Sequence, residues 1–223
     1  MVDQAPKLRI PPCRRILTGL EGNNKYLFDG ALIIQERKQH STDYGRPRKV
    51  LSLHVRPTPG NPRRGLLRVD GLIFRCALGR GGISAFKREG DGATPFATMR
   101  PLEIYYRRDR RSSGLARARL PVFAIRGDMG WCDAVADANY NRQVPLPFAA
   151  SHEKMLREDH LYDTVVVLDW NVRPRKRGAG SAIFLHIARP GFQPTEGCIA
   201  VTQGVMTRLL PLLGPRTRIT VHR

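Results

Sequence analysis

The dipeptide Asp70-Gly71 constrains this chain more than any other local feature, because it separates two β-type runs, Leu66 to Val69 and Leu72 to Leu78. Both residues tolerate the positive φ angles of a tight two-residue hairpin, so the pattern predicts antiparallel strands joined directly. Further strands are predicted at Val50 to Val55, Pro121 to Ile125, Thr164 to Leu168, Ala182 to Ile187, Cys198 to Val201 and Thr217 to Val221, runs rich in β-branched and aliphatic residues. Pro57 to Gly65, with its prolines, glycines and Asn61, reads as a loop. A helix is predicted after Thr202: this residue suits an N-cap, and Val205, Met206, Leu209 and Leu210 fall on one helical face before Pro211 and Gly214 end it. Many short strands and one helix point to a mainly β domain of sandwich or distorted-barrel type. No internal repeat is present.

Residues 1–48 mix prolines, glycines and charges with short apolar patches such as Ala31 to Ile34, so they read as a loosely structured N-terminal arm before a domain at 49–223. Met1 to Leu17 lacks the basic-then-apolar layout of a signal peptide, since Arg9, Pro11, Pro12, Arg14 and Arg15 interrupt it; export is either not encoded here or a leader has been removed. No stretch approaches the roughly 20 apolar residues of a membrane helix.

Thirty-eight Lys and Arg against 19 Asp and Glu give a net charge of +19, which favours polyanions such as nucleic acid, anionic lipid or an acidic cell wall without choosing among them. Aromatic residues make up only 7% of the chain, and no basic segment is interleaved with aromatics as base-stacking surfaces require, which weighs against nucleic acid. Gly79-Arg80-Gly81-Gly82 lacks the Gly-Lys-Ser/Thr ending of a phosphate loop and reads as a turn. His40, His54, His152 and His222 have no partners at ligand spacing, and none of Cys13, Cys76, Cys132 and Cys198 forms a paired short spacing, so neither a metal site nor a cofactor is expected.

The chemistry-bearing stretch begins at Ser181 and runs SAIFLHIARPGFQPTEGCIAV: a strand carrying His186, a Gly and Pro loop, then Gly197-Cys198 opening a second strand. The separation, 198 minus 186 or 12 positions, lets two neighbouring strand ends face one site. A thiol with a reference pKa of about 8.5 is mostly protonated at neutral pH, and an adjacent imidazole, with a reference of about 6.5, can take its proton. Gly197 suits a sharp turn that presents main-chain N–H groups to a developing oxyanion. A buried cysteine beside a core histidine is the competing structural reading of the same residues.

This segment resembles the catalytic domain of the YkuD-type L,D-transpeptidases, in which a strand-borne His precedes a Ser/Thr-His-Gly-Cys-apolar motif, here Thr195-Glu196-Gly197-Cys198-Ile199. Leu78 to Pro101, LGRGGISAFKREGDGATPFATMRP, is similar to the glycine-rich region upstream in that family, and the resemblance extends from Val50 to Val221. It implies Cys198 as nucleophile, His186 as general base, the backbone at Gly197 and Cys198 as part of an oxyanion hole, and Thr195 and Glu196 on the substrate side. Glu196 stands where the family usually has His, and the loop after His186 is shorter than in the commoner branches. The implied reaction is attack on a peptidoglycan stem tetrapeptide, loss of the terminal D-Ala and formation of a thioester. An amine on a second stem or on a protein then resolves it, or water does, giving a carboxypeptidase or endopeptidase instead. Such a substrate places the protein in the periplasm or cell envelope. A basic nucleic-acid- or surface-binding protein is the reading from another class.

Arg189, near the site, either meets a stem-peptide carboxylate or has only a surface role. Lys87, Arg88, Glu89, Asp91 and Thr94 form a loop that either borders the cleft or is merely solvated. Trp131, Cys132 and Asp133 either line the cleft or pack structurally. His160, Tyr162 and Asp163 either orient His186 or cap a turn. Oligomeric state is left open.

Overall fold

The structure, a computed structural model, describes residues 24–28, 31–35, 50–110 and 114–223. The backbone divides into two units, 1–48 and 49–223. In the first, strands β1 (Asn24–Phe28) and β2 (Ala31–Gln35) form an antiparallel hairpin with Asn24 opposite Gln35, so the arm holds regular structure that its lack of period had not announced.

The second unit contains β3 (Ser52–Thr58), β4 (Asn61–Val69), β5 (Leu72–Ala77), β6 (Ile83–Ser84), β7 (Thr94–Pro95), β8 (Thr98–Met99) and β9 (Pro101–Tyr106). It continues with β10 (Val122–Ala124), β11 (Met129–Cys132), β12 (Arg142–Pro145), β13 (His152–Lys154), β14 (Thr164–Leu168), β15 (Phe184–Ile187) and β16 (Ile199–Val201), then helix α1 (Gln203–Leu209) and β17 (Arg218–Val221). Ten strands form one mixed sheet in the order β10-β9-β14-β15-β16-β5-β4-β3-β17-β8, and β12-β11-β13 form a second sheet.

The Asp70-Gly71 hairpin is present as read: Val69 pairs with Leu72, and the two turn residues have φ of 45° and 79°. Pro57 to Gly65 is not a loop. Strand β3 runs on to Thr58 and β4 begins at Asn61, with Pro59-Gly60 as the whole connection. A register shift between Pro57 and Thr58 accommodates the change in pairing, which is where a strand can accept a proline that donates no N–H. Helix α1 starts at the expected cap: Thr202 accepts the Val205 N–H through its side chain, and Met206 and Leu209 are buried.

The central strands β14, β15 and β16 are buried at every position because both faces of the sheet are covered. Alternation then sorts their side chains into two cores. Val166, Leu168, Leu185, Ile187, Ile199 and Val201 join Leu53, Val55, Leu67, Val69, Ile219 and Val221, together with Met206 and Leu209 of α1, so the two halves of the large sheet close over one interior. The halves meet at β16 and β5, which share the single pair Ala200↔Ala77. The alternate residues Val165, Val167, Phe184 and Cys198 belong to a second core with Trp131, Met155 and Tyr162. This mainly β architecture with one α-helix among the described residues matches the fold class read from the sequence.

Candidate active site

Strands β15 and β16 are parallel, with Leu185 opposite Ile199 and His186 opposite Ala200. Cys198 precedes Ala200 by two positions, so the period of a strand puts His186 and Cys198 on one face, the face of the second core. Both line a cleft of about 280 Å³ with Glu89, Asp133, Glu153, Arg157, Tyr162, Ser181 and Arg189. The site residues read from the sequence, Cys198, His186, Thr195, Glu196 and Arg189, all border this cleft.

The turn before the cysteine is fixed from several sides. Thr195 is pinned to the end of β5 by its N–H to the Leu78 carbonyl (2.9 Å) and by its own carbonyl accepting the Arg80 N–H (2.7 Å). Its hydroxyl donates to the Cys198 carbonyl (2.7 Å) and accepts the Gly197 N–H (3.2 Å). Thr195 therefore holds the loop with the same side chain that the motif places beside the substrate. The Gly197 N–H is thereby committed to Thr195. Gly197 itself has φ +133°, and a Cβ there would sit 2.9 Å from the Ala93 carbonyl oxygen.

The Cys198 sulfur donates to the Ala182 carbonyl (3.2 Å) and receives the Phe184 N–H (3.3 Å). Burial pushes this thiol up to about 12, Glu153 and Glu196 add to the effect, and the Phe184 N–H and Lys87 oppose it. His186 is 4% exposed. Burial pulls its imidazole down to about 4, against the raising effect of its hydrogen bond to the Ile187 carbonyl, and Arg157 and Arg189 lower it further. The resting pair is thus a neutral thiol and a neutral imidazole.

His186 Nδ1 lies 2.8 Å from the Ile187 carbonyl. A carbonyl only accepts, so Nδ1 carries the proton and Nε2 offers the lone pair. The ring is therefore oriented by a backbone carbonyl, not by His160 or Asp163, which bond each other at 2.8 Å. Tyr162 packs edge-on against the imidazole, with ring centroids 5.5 Å apart, and Arg157 covers the Tyr162 ring at 5.1 Å. Of the three groups offered for orienting His186, Tyr162 is the one against its ring. Glu153 lay beyond sequence reading, because it sits on β13, paired with β11, a ribbon without an alternating pattern.

Glu196 forms an ion pair with Arg80 at 2.6 Å, an exposed contact at the rim. Lys87 is buried and bonds Asp91 at 2.5 Å, and Asp91 also accepts the N–H groups of Arg88 and Ala93, both at 2.8 Å. That cluster shapes the loop whose Ala93 carbonyl abuts Gly197. Trp131 and Cys132 are core residues, whereas Asp133 lines the cleft. Among the described residues, no group of three His, Cys, Asp or Glu side chains is disposed to hold a metal, and no helix is long and apolar enough to cross a membrane.

The family model of the L,D-transpeptidase catalytic domain, YkuD, matches residues 61–221. Among solved structures, L,D-transpeptidase 3 from Mycobacterium tuberculosis is matched at 11% identity with a TM-score of 0.36, over 78% of this chain and 61% of that one. The chain therefore corresponds to less than two thirds of that protein's length. No curated protein matches it.

Proposed function

Because the chain belongs to the L,D-transpeptidase catalytic domain family, we propose that it exchanges peptide bonds in peptidoglycan stems through a thioester on Cys198, with His186 as the base. The observation that carries this reading is the placement of His186 and Cys198 on one face of adjoining parallel strands, inside one cleft.

In the first step His186 Nε2 takes the thiol proton as the sulfur attacks the carbonyl at the L-centre of the third, diamino acid residue. The tetrahedral oxyanion faces the Cys198 N–H, and such a donor contributes roughly 3 to 4 kcal/mol to lowering the barrier. Collapse breaks the C–N bond, the imidazolium returns its proton to the departing D-Ala amine, and a thioester remains. An acceptor amine on a second stem or a protein then attacks the thioester, passes its proton to His186 and displaces the sulfur, which recovers the proton. One amide is lost and one gained, so neither oxidant nor cofactor enters the balance. A substrate in the cell wall places the protein at the cell envelope, where its +19 charge favours approach to anionic polymers.

Intact-mass measurement tests the nucleophile. A carbapenem is expected to leave one covalent adduct on the protein and none on Cys198→Ala, and a tetrapeptide stem is expected to lose D-Ala. No adduct and no D-Ala release would overturn the reading.

A further inference from the structure

Strands β17, β3, β4 and β5 bury one face and present the other to solvent. Leu53, Val55, Leu67, Val69, Ile219 and Val221 turn into the core, so alternation sends their neighbours outward. The ladder register sets Thr220, His54, Arg68 and Ile73 side by side in one outward row, and Arg56, Leu66 and Arg75 in the next. Cations and aliphatic side chains are thereby interleaved on one sheet face.

Among the described residues, Arg56, Arg68 and Arg75 form neither an ion pair nor a hydrogen bond. Val50, Leu66 and Ile73 are 38%, 37% and 60% exposed, and all three line a groove of about 880 Å³ together with His54, Arg56 and Arg68. Asp70, at the hairpin turn, is the one carboxylate among the residues lining it. His54 Nδ1 lies 3.0 Å from His222 Nε2, so one ring donates and the other accepts. Burial, then Arg56 and His54, hold the His222 imidazole below its ordinary value, so the groove resists further positive charge. None of its residues lines the Cys198 cleft.

Unpaired guanidinium groups call for anions with oxygens in a fork, such as phosphates. A soluble phosphate polymer answers that call but leaves Val50, Leu66 and Ile73 in water, and no Phe, Tyr or Trp lines the groove to stack on nucleobases. An anionic bilayer answers both: its headgroup phosphates meet the arginines, and the boundary with its acyl chains takes the aliphatic side chains between them. We propose that the outward face of β17-β3-β4-β5 is a docking surface for an anionic lipid bilayer, with Arg56, Arg68 and Arg75 on the headgroups and Ile73 and Leu66 at the acyl boundary. This surface does not rest on the acyl-transfer reading, because it shares no residue with that site and needs no nucleophile.

The test is co-sedimentation of the full chain with vesicles of phosphatidylcholine alone and with vesicles containing about 30% phosphatidylglycerol, in about 0.15 M salt. The anionic vesicles are expected to bind at least about tenfold more tightly. Replacing Arg56, Arg68 and Arg75 together by Gln is expected to weaken that binding about a hundredfold, or roughly fivefold per arginine. The same change at Arg108, Arg117 and Arg173, which are exposed and lie off this face, removes equal charge and is expected to cost less than about fivefold. Ile73→Ser leaves the charge intact and is expected to weaken binding roughly tenfold. Equal binding to the two kinds of vesicle, or equal losses in the two triple variants, overturns the docking surface. Unchanged vesicle binding by Ile73→Ser, with polyphosphate displacing the protein, assigns the face to a soluble polyanion and overturns the bilayer.

Discussion

His186 pairs with Ala200 across two parallel strands, which sets its imidazole on the same face as Cys198, two residues earlier on the neighbouring strand. Burial holds that imidazole at about 4, below its ordinary value. A base must be neutral to accept a proton, so the rate of carbapenem acylation is expected to keep its neutral-pH value down to about pH 5 and to fall only near pH 4. Acylation followed by intact mass across this range checks it. An acid limb near 6.5, the value of a solvated histidine, would show that His186 is not the base or is not buried during reaction.

The same depression links folding to pH. The unfolded chain protonates its histidine below about 6.5 and the folded chain only below about 4, so between these values the unfolded state binds more protons. The stability contributed by neutral burial is complete above about 6.5 and is lost as pH falls through this window, by an amount on the order of 3 kcal/mol. Denaturant titrations of the protein and of His186→Gln at pH 7 and pH 4.5 are expected to show a steeper loss for the protein. Parallel losses would mean that carboxylates, and not His186, govern its acid sensitivity.

Cys198 and Cys76 are pushed up to about 12, and Cys132 is raised as well, each chiefly by burial. Alkylation of Cys198 by iodoacetamide is therefore expected to be slow at pH 7 and to rise about tenfold per pH unit past pH 9 without levelling. Peptide mapping of the modified residue gives the rate. A plateau below pH 8 would reveal a preformed thiolate–imidazolium pair and replace the neutral resting state described above.

Local signals carried far in this chain. The Asp70-Gly71 turn, the Thr202 cap and the strand, loop and strand around His186 and Cys198 are each set within about 20 neighbouring residues, where turn chemistry and alternation speak directly. What stayed hidden depends on distant pairing. Strand β9, Pro101–Tyr106, is inserted between β14 and β10, and β11, Met129–Cys132, is buried at every position, so neither shows a two-residue alternation. Those elements bring Glu153 to the cleft beside Asp133 and Tyr162, for which the sequence left two roles open. Pro57 and Pro62 disguised the β3–β4 hairpin, because composition marks a proline as a loop residue while a register shift lets a strand keep it.

Gly197 links the sequence motif most directly to the geometry of the nucleophile. Its φ of +133° lies where side-chain-bearing residues are strained, and a Cβ would meet the Ala93 carbonyl oxygen at 2.9 Å and Ile183 Cδ1 at 3.3 Å. Backbone cannot swing aside as a flexible side chain can, so Gly197→Ala is expected to cost about 1–3 kcal/mol and to displace Cys198 from the face it shares with His186. Carbapenem acylation should fall by more than the melting temperature alone would explain, because the sulfur moves relative to Nε2 even in the molecules that stay folded. Thr195 supplies the control. Thr195→Ser keeps the hydroxyl that bonds the Cys198 carbonyl and the Gly197 N–H and should acylate nearly as fast as the parent, whereas Thr195→Val leaves both groups unmatched and should resemble Gly197→Ala. If Gly197→Ala melts and acylates like the parent, the turn does not set the position of the sulfur, and the strand pairing of β15 with β16 must do so unaided.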